Sequence, residues 1–158
     1  MNAGLQPGPL RVRAVGPDDF AGWLPLWQGY NAFYGRDGDS ALAEDVTNTT
    51  WARFLDPAEP VHALVAAQGD ELVGLAHFLY HRSTTRIEPT CYLQDLFTLQ
   101  SARGQGVGRA LIEGVFAAAR AARVERVYWQ TQSGNARARR LYDQVATYLG
   151  FITYSREL

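Results

Sequence analysis

The 158-residue sequence contains no lysine; all 15 basic side chains are arginines. That absence excludes a Walker phosphate loop, which needs a lysine on the phosphates, and any Schiff-base mechanism through an ε-amine. A single cysteine, Cys91, leaves no internal disulfide and no cysteine metal cluster. His62, His77 and His81 fit no zinc-ligand spacing, and the last two fall in a strand pattern rather than on one helix face. No metal is expected. A formal net charge of −1 gives no electrostatic attraction to nucleic acid or to an anionic bilayer. The opening stretch MNAGLQPGPL has neither a charged n-region nor an apolar h-region, and no apolar run reaches spanning length. Together these features predict a soluble, cytoplasmic protein without a nucleic-acid or membrane partner.

What is present is ample apolar material. At 47% hydrophobic, the chain has enough for one globular domain over residues 1–158. Residues 10–15 alternate as a first strand. A helix follows, with Asp18 or Asp19 as cap and Phe20, Leu24, Trp27, Tyr30 and Tyr34 at helical spacing; Pro25 is expected to kink or interrupt it. A second helix is expected between a cap at Asp39 or Ser40 and a stop at Asp56-Pro57. VHALVAAQ and ELVGLAHFLYHR meet at Gly69-Asp70, and with TCYLQDLFTL they read as an antiparallel meander. Val107, Leu111, Val115, Ala118 and Ala122 mark a helix to about Arg123. VERVYWQT reads as a strand, NARARRLYDQVATYLG as a helix from Asn135 to a C-cap at Gly150, and FITYSREL as a closing strand. The order β-α-α-β-β-β-α-β-α-β predicts one mixed-sheet α/β domain.

Gly104, Gly106 and Gly108 stand where strand gives way to helix. There the first N–H groups of a helix lack internal partners and its dipole favours an anion. Glycine also lets phosphate oxygens approach the backbone closely, although a plain β-to-α turn would use the same residues. The dinucleotide fingerprint G-x-G-x-x-G fails, because Arg109 holds the place of its last glycine. The pattern that fits is Q/R-x-x-G-x-G/A, filled by Arg103, Gly106 and Gly108.

This loop resembles the pyrophosphate loop of the GNAT superfamily of N-acetyltransferases, which bind acetyl-coenzyme A. YLQDLFTLQSARGQGVGRALI is similar to that superfamily's strand-loop-helix core, and NARARRLYDQVATYLGF to its second signature, N-x-x-A-x-x-L-Y ending in G-F. The likeness runs from about residue 72 onward, closest in flavour to the small histone and D-amino-acid acetyltransferase branch and to the diamine acetyltransferases. It implies a mostly antiparallel central sheet flanked by helices, with acetyl-CoA as co-substrate and no metal. It also implies that the N–H groups of Gly104, Gln105, Gly106, Val107, Gly108 and Arg109, with Arg103, hold the pyrophosphate. Free backbone groups of Leu96, Phe97 and Thr98 would take the pantetheine arm and the acetyl oxygen. Asn135 would cap its helix and touch the pantetheine, and Tyr142 matches the tyrosine that protonates the coenzyme A thiolate.

Amine attack on a thioester needs an anchored donor, a polarised carbonyl, a deprotonated amine and an acid for the departing thiolate. A backbone N–H aimed at the developing oxyanion lowers such a barrier by ~3 kcal/mol. Gln94 stands where the diamine acetyltransferases carry a glutamate, and a glutamine cannot take a proton. Asp95 is therefore the base through a water, a structural carboxylate or a cation anchor; strand alternation sends it to the side opposite Gln94. Tyr30, Tyr34, Gln94 and Trp129 are expected to border the acceptor. Cys91 lies upstream of the reactive strand, so transfer is expected to be direct, in a ternary complex. The acceptor is a primary amine, either a small molecule or a protein lysine or N-terminus. The alternative is a non-catalytic acetyl-CoA-binding sensor or interaction module, which Gln94 permits and Tyr142 opposes. The apolar alternation of the closing strand predicts a homodimer paired along that edge.

Overall fold

Three consecutive apolar runs build the centre of the sheet, and the helices follow from which face of each run they must cover. The computed structural model describes residues 8–158, so most of MNAGLQPGPL lies outside the described residues. The elements are β1 (Leu10–Ala14), α1 (Phe20–Phe33), α2 (Glu44–Leu55), β2 (Val61–Gln68), β3 (Glu71–His81) and β4 (Thr90–Thr98). They continue with α3 (Val107–Ala121), β5 (Val127–Tyr128) and α4 (Ala136–Val145). The sheet order is β1-β2-β3-β4-β5; neighbours are antiparallel except β5, which runs parallel to β4. Gly69-Asp70 forms the hairpin between β2 and β3, with Gln68 paired to Glu71.

Alternation sorts the strand residues into two cores. Leu64, Ala76, Phe78, Cys91 and Leu93 pack on the side of α3, against Val107, Leu111 and Val115. Val65 and Leu75 face the other way, onto Trp23, Leu26, Trp27 and Tyr30 of α1. The α4 residues Leu141, Tyr142 and Val145 are partly buried against the first core. Among the described residues, no helix is long and apolar enough to cross a membrane.

Several expected boundaries move. Pro25 does not interrupt α1, which runs through it. The carbonyl that loses its partner there belongs to Ala21, one turn earlier and exposed, so water replaces the missing bond. The second helix starts at Glu44 rather than at Asp39 or Ser40, because the Ser40 hydroxyl is spent closing the preceding turn on Gly35 and Asp37. VERVYWQT keeps only Val127–Tyr128 as strand. The last helix stops at Val145, and Gly150 turns the chain beyond it at φ 77° instead of capping it. FITYSREL forms no strand. A strand needs a partner edge, and within one chain this segment pairs with none; Phe151, Ile152 and Tyr154 stand exposed.

The close seat of α3 on the sheet depends on Gly74. A Cβ there would meet the Phe97 carbonyl at 2.9 Å, Val107 at 2.9 Å and Leu111 at 3.0 Å. Backbone cannot yield as a side chain does. Gly74→Ala is expected to destabilise the protein by about 1–3 kcal/mol through overpacking, read as a lowered urea midpoint at constant slope. An unchanged midpoint would show that α3 can lift without cost.

Candidate active site

The glycine turn arrives as expected at the start of α3. Gly104 and Gly106 hold φ 76° and 82°, a region L side chains rarely adopt, and a Cβ on either would meet nothing within 4 Å. Gly106 is the N-cap residue, with no side-chain cap. The N–H groups of Gly104 to Arg109 donate to none of the carbonyls that close the neighbouring turns. A cradle of unspent donors, open in front and set on a helix dipole, suits the pyrophosphate of a coenzyme A. The side chains around it tether the loop. Arg103 Nε donates to the Thr98 carbonyl at 3.2 Å, Gln105 Nε2 to the Ser101 carbonyl at 3.0 Å, and Arg109 to Gln144 of α4. Gly108 lets Leu141 of α4 come near, since a Cβ there would touch it at 3.4 Å.

Beside this loop the sheet splays. β4 pairs with β5 only at Cys91 and Tyr92, so among the described residues Leu96, Phe97 and Thr98 face no strand on that edge, the Thr98 carbonyl accepting from Arg103 instead. α4 borders the opening: Asn135 caps it through Oδ1 from the Ala138 N–H at 3.3 Å, and Tyr142 lies seven residues on. Burial foremost, then the neighbouring Tyr34, push the Tyr142 phenol up to about 12. Trp129, expected to border the acceptor, sets its ring against Tyr142 at 5.4 Å and Phe116 at 6.3 Å. Burial likewise pushes the Cys91 thiol to about 12, which leaves it no thiolate to act as a nucleophile near neutrality.

Asp95 reaches its position through a β-bulge. Cys91 and Leu93 face the α3 core, and strict alternation would send Asp95 there as well. The register slips between His77 and Phe78: Leu93 pairs with Phe78 and Asp95 with His77, so Gln94 is the extra residue. Beyond the bulge, Leu96 packs on the α3 side and Phe97 on the α1 side. The expectation of plain alternation through Gln94 and Asp95 fails here, because an inserted residue resets the pleat. Gln94 is left exposed on the surface.

On the α1 side Asp95 joins a buried chain. Trp23 Nε1 lies 3.0 Å from His77 Nε2, and His77 Nδ1 lies 2.9 Å from Asp95 Oδ2. His77 and Asp95 are 3% and 7% exposed. An indole N–H only donates, so Nε2 accepts and the imidazole proton sits on Nδ1, donating to the carboxylate. Asp95 also has the Tyr30 phenol as a hydrogen-bonding neighbour. It looks toward a cluster of phenols. Burial first, then the Asp95 charge, hold Tyr30 and Tyr34 above their ordinary range. Burial, Tyr128, Asp95 and Tyr34 do the same for Tyr92. Tyr34 thus neighbours both Asp95 and Tyr142.

Sequence reasoning named Asp95, Tyr142, Tyr30 and Tyr34 but missed His77, Trp23, Tyr92 and Arg36, which the fold gathers around them. Among the described residues no group of His, Cys, Asp or Glu is placed to hold a metal ion.

A splayed mixed sheet, an uncapped glycine turn on one side of the gap and a phenol and carboxylate on the other define an acyl-transfer domain of the acetyltransferase type. The chain belongs to the Acetyltransferase (GNAT) family, whose signature matches residues 23–148 and whose members use acetyl-CoA as co-substrate. It is 35% identical over 147 residues to D-amino-acid N-acetyltransferase HPA3 of Saccharomyces cerevisiae, covering 92% of this chain and 89% of that one. AAC(6')-Iy, in complex with the bisubstrate analog CoA-S-monomethyl-acetylneamine, shares the fold with TM-score 0.81 at 15% identity over 96% of this chain and 99% of that one. Ribosomal-protein-alanine N-acetyltransferase from Brucella melitensis biovar Abortus 2308 does so at 0.74 and 17%, over 95% and 99%.

The tautomer argument has a direct check. Nitrogen-15 spectra should show His77 as the Nδ1–H form, and an Nε2–H form would contradict the chain of donors. Trp23→Phe leaves Nε2 buried without its donor and should cost about 1–3 kcal/mol of stability in urea.

Proposed function

We propose that this enzyme moves an acetyl group from acetyl-CoA to a primary amine by direct attack in a ternary complex. What supports the reading is that Tyr34 feels the Asp95 charge and Tyr142 in turn feels Tyr34, while β5 leaves the end of β4 unpaired. Bound acetyl-CoA supplies the thioester carbonyl that the amine attacks. Gly104 through Arg109 offer their N–H groups to the pyrophosphate, while the open edge at Leu96, Phe97 and Thr98 takes the pantetheine arm and the acetyl oxygen. Asn135 borders the same arm. Asp95, its Oδ2 occupied by His77, receives the amine proton at Oδ1, directly or through a water. Tyr142 gives its proton to the sulfur as the C–S bond breaks and the N–C bond forms. Tyr30 and Tyr34 wall the acceptor. The relative named for D-amino-acid acetylation favours a small-molecule amine over a protein lysine or N-terminus.

Turnover of acetyl-CoA against a panel of amines, with three variants, tests this reading. Gly106→Val should abolish coenzyme A binding by calorimetry while circular dichroism shows the helices and sheet retained, since a β-branched residue cannot hold φ 82° and the turn loses its cradle. Tyr142→Phe should lower kcat about 100-fold with acetyl-CoA affinity little changed. A phenol raised to about 12 keeps its proton as pH rises past neutrality, so Tyr142 should impose no alkaline fall in kcat below about pH 10. Asp95→Asn should lower kcat/KM about 100-fold; an undiminished value would return the proton to water alone.

We also infer that two copies pair through residues 151–158. Phe151 and Tyr154 are 82% and 88% exposed in the single chain, and β5, the last strand of the sheet, offers an unpaired outer edge. Exposed apolar side chains in an extended tail and a free sheet edge on the same chain favour a shared ladder between copies. Light scattering at micromolar concentration should find a dimer, and deletion of residues 151–158 a monomer. A monomeric full-length chain would defeat the inference.

A further inference from the structure

Arg36 is held more tightly than a surface arginine requires. Its backbone is set by a Schellman turn at the end of α1: the Gly35 N–H bonds the Ala32 carbonyl at 3.0 Å and the Arg36 N–H the Asn31 carbonyl at 2.9 Å. Its side chain is set by Asn31, which is buried. Asn31 Nδ2 is spent on the Trp27 carbonyl at 2.8 Å, so its oxygen must face outward, and Arg36 Nε donates to that oxygen at 2.7 Å. The guanidinium then lies over two rings, 5.8 Å from the centre of Tyr30 and 5.5 Å from that of Tyr34. Backbone, Nε and the flat face are all committed. The two terminal nitrogens are not: among the described residues they have no hydrogen-bond partner and pair with no carboxylate. Arg36 also lines a cavity of about 760 Å³ between α1 and α2, so the fork is reachable from outside.

An oriented guanidinium fork with free terminal nitrogens suits a planar anion, above all a carboxylate held by two parallel hydrogen bonds. The same two tyrosines feel the Asp95 carboxylate as well as the Arg36 guanidinium. The site therefore has a negative pole for an ammonium and a positive pole for a carboxylate, both close to Tyr30 and Tyr34. We propose that Arg36 is the carboxylate receptor of the acceptor site, so that the preferred acceptors are free α-amino acids, with the amine toward Asp95 and the carboxylate on Arg36. This rests on the acetyl-transfer reading for the location of the acceptor. A protein lysine or N-terminus lacks a carboxylate on the amine-bearing carbon of a free molecule and would leave the fork unused.

The experiment compares leucine, as each enantiomer, with isopentylamine, which is leucine without its carboxylate. Binding to the coenzyme A-saturated protein is measured by calorimetry, and kcat/KM by acetyl transfer. The wild type should favour at least one enantiomer over isopentylamine by roughly 10- to 100-fold, the range expected of hydrogen bonds to a charged group. Arg36→Gln should bring that ratio to within about threefold of unity, and Arg36→Lys, which keeps the charge but not the fork, should retain part of it. Melting temperatures confirm that the variants are folded. A wild type without the preference, or an Arg36→Gln protein that keeps it, overturns the proposal; so does a loss that falls on coenzyme A affinity instead. Failure to acetylate any amine would refute the transfer reading, while the calorimetric ratio still decides the role of Arg36.

Discussion

The indole of Trp23 reaches from α1 to His77 at 3.0 Å, and His77 passes the contact to Asp95 at 2.9 Å. The chemistry on that side of the sheet is arranged around this chain. A buried carboxylate is costly unless it is hydrogen-bonded, and a guanidinium partner would satisfy it at the expense of its charge. A neutral imidazole satisfies one oxygen and leaves the negative charge for a ligand. Trp27 and Phe54 close around the His77 ring at 5.2 and 4.5 Å, so the donor is held in a dry aromatic box. The bulge at Gln94 is what allows the chain to close, because without it Asp95 would lie on the wrong face of the sheet.

In the proposed site the two substrates are served by different kinds of group. On the donor side the binding elements are main chain: an uncapped helix start, positive-φ glycines and the unpaired edge of β4. On the acceptor side they are side chains, two of them charged and of opposite sign, set among tyrosines. Tyr142 stands between, half-buried on α4, braced by Trp129 and adjacent to Tyr34. The Arg109–Gln144 hydrogen bond ties the start of α3 to that same helix, two residues past the tyrosine. The glycine loop and the helix that carries Tyr142 are thus tied to each other directly.

This division explains what could be read in the sequence. A main-chain turn leaves a spacing of glycines, which is visible in one dimension, and the place of Tyr142 on α4 follows from its interval after the capping Asn135. The meander was legible too, because Gly69-Asp70 and the apolar alternation of β2 and β3 are local signals. Side-chain convergence is not local. His77 and Asp95 meet only across a ladder, and the bulge that brings them together changes neither composition nor period enough to announce itself. Pro25 misled because its cost depends on whether the orphaned carbonyl faces water, which sequence does not state. The closing strand misled for a related reason. Its alternation is real, but pairing is a property of two edges and one chain supplies only one of them.

The spans of the contacts in the Trp23–His77–Asp95 chain also order its assembly in time. Asp95 and His77 are 18 residues apart and belong to one meander, whereas Trp23 and His77 are separated by 54. Closing the longer loop costs more entropy, so sheet pairing between β3 and β4 is cheaper to form than the docking of α1 upon it. An ionised carboxylate only accepts, so the pairing of β3 with β4 already places the His77 proton on Nδ1 and leaves Nε2 a bare lone pair. The indole of the first helix then meets an acceptor that the sheet has prepared for it.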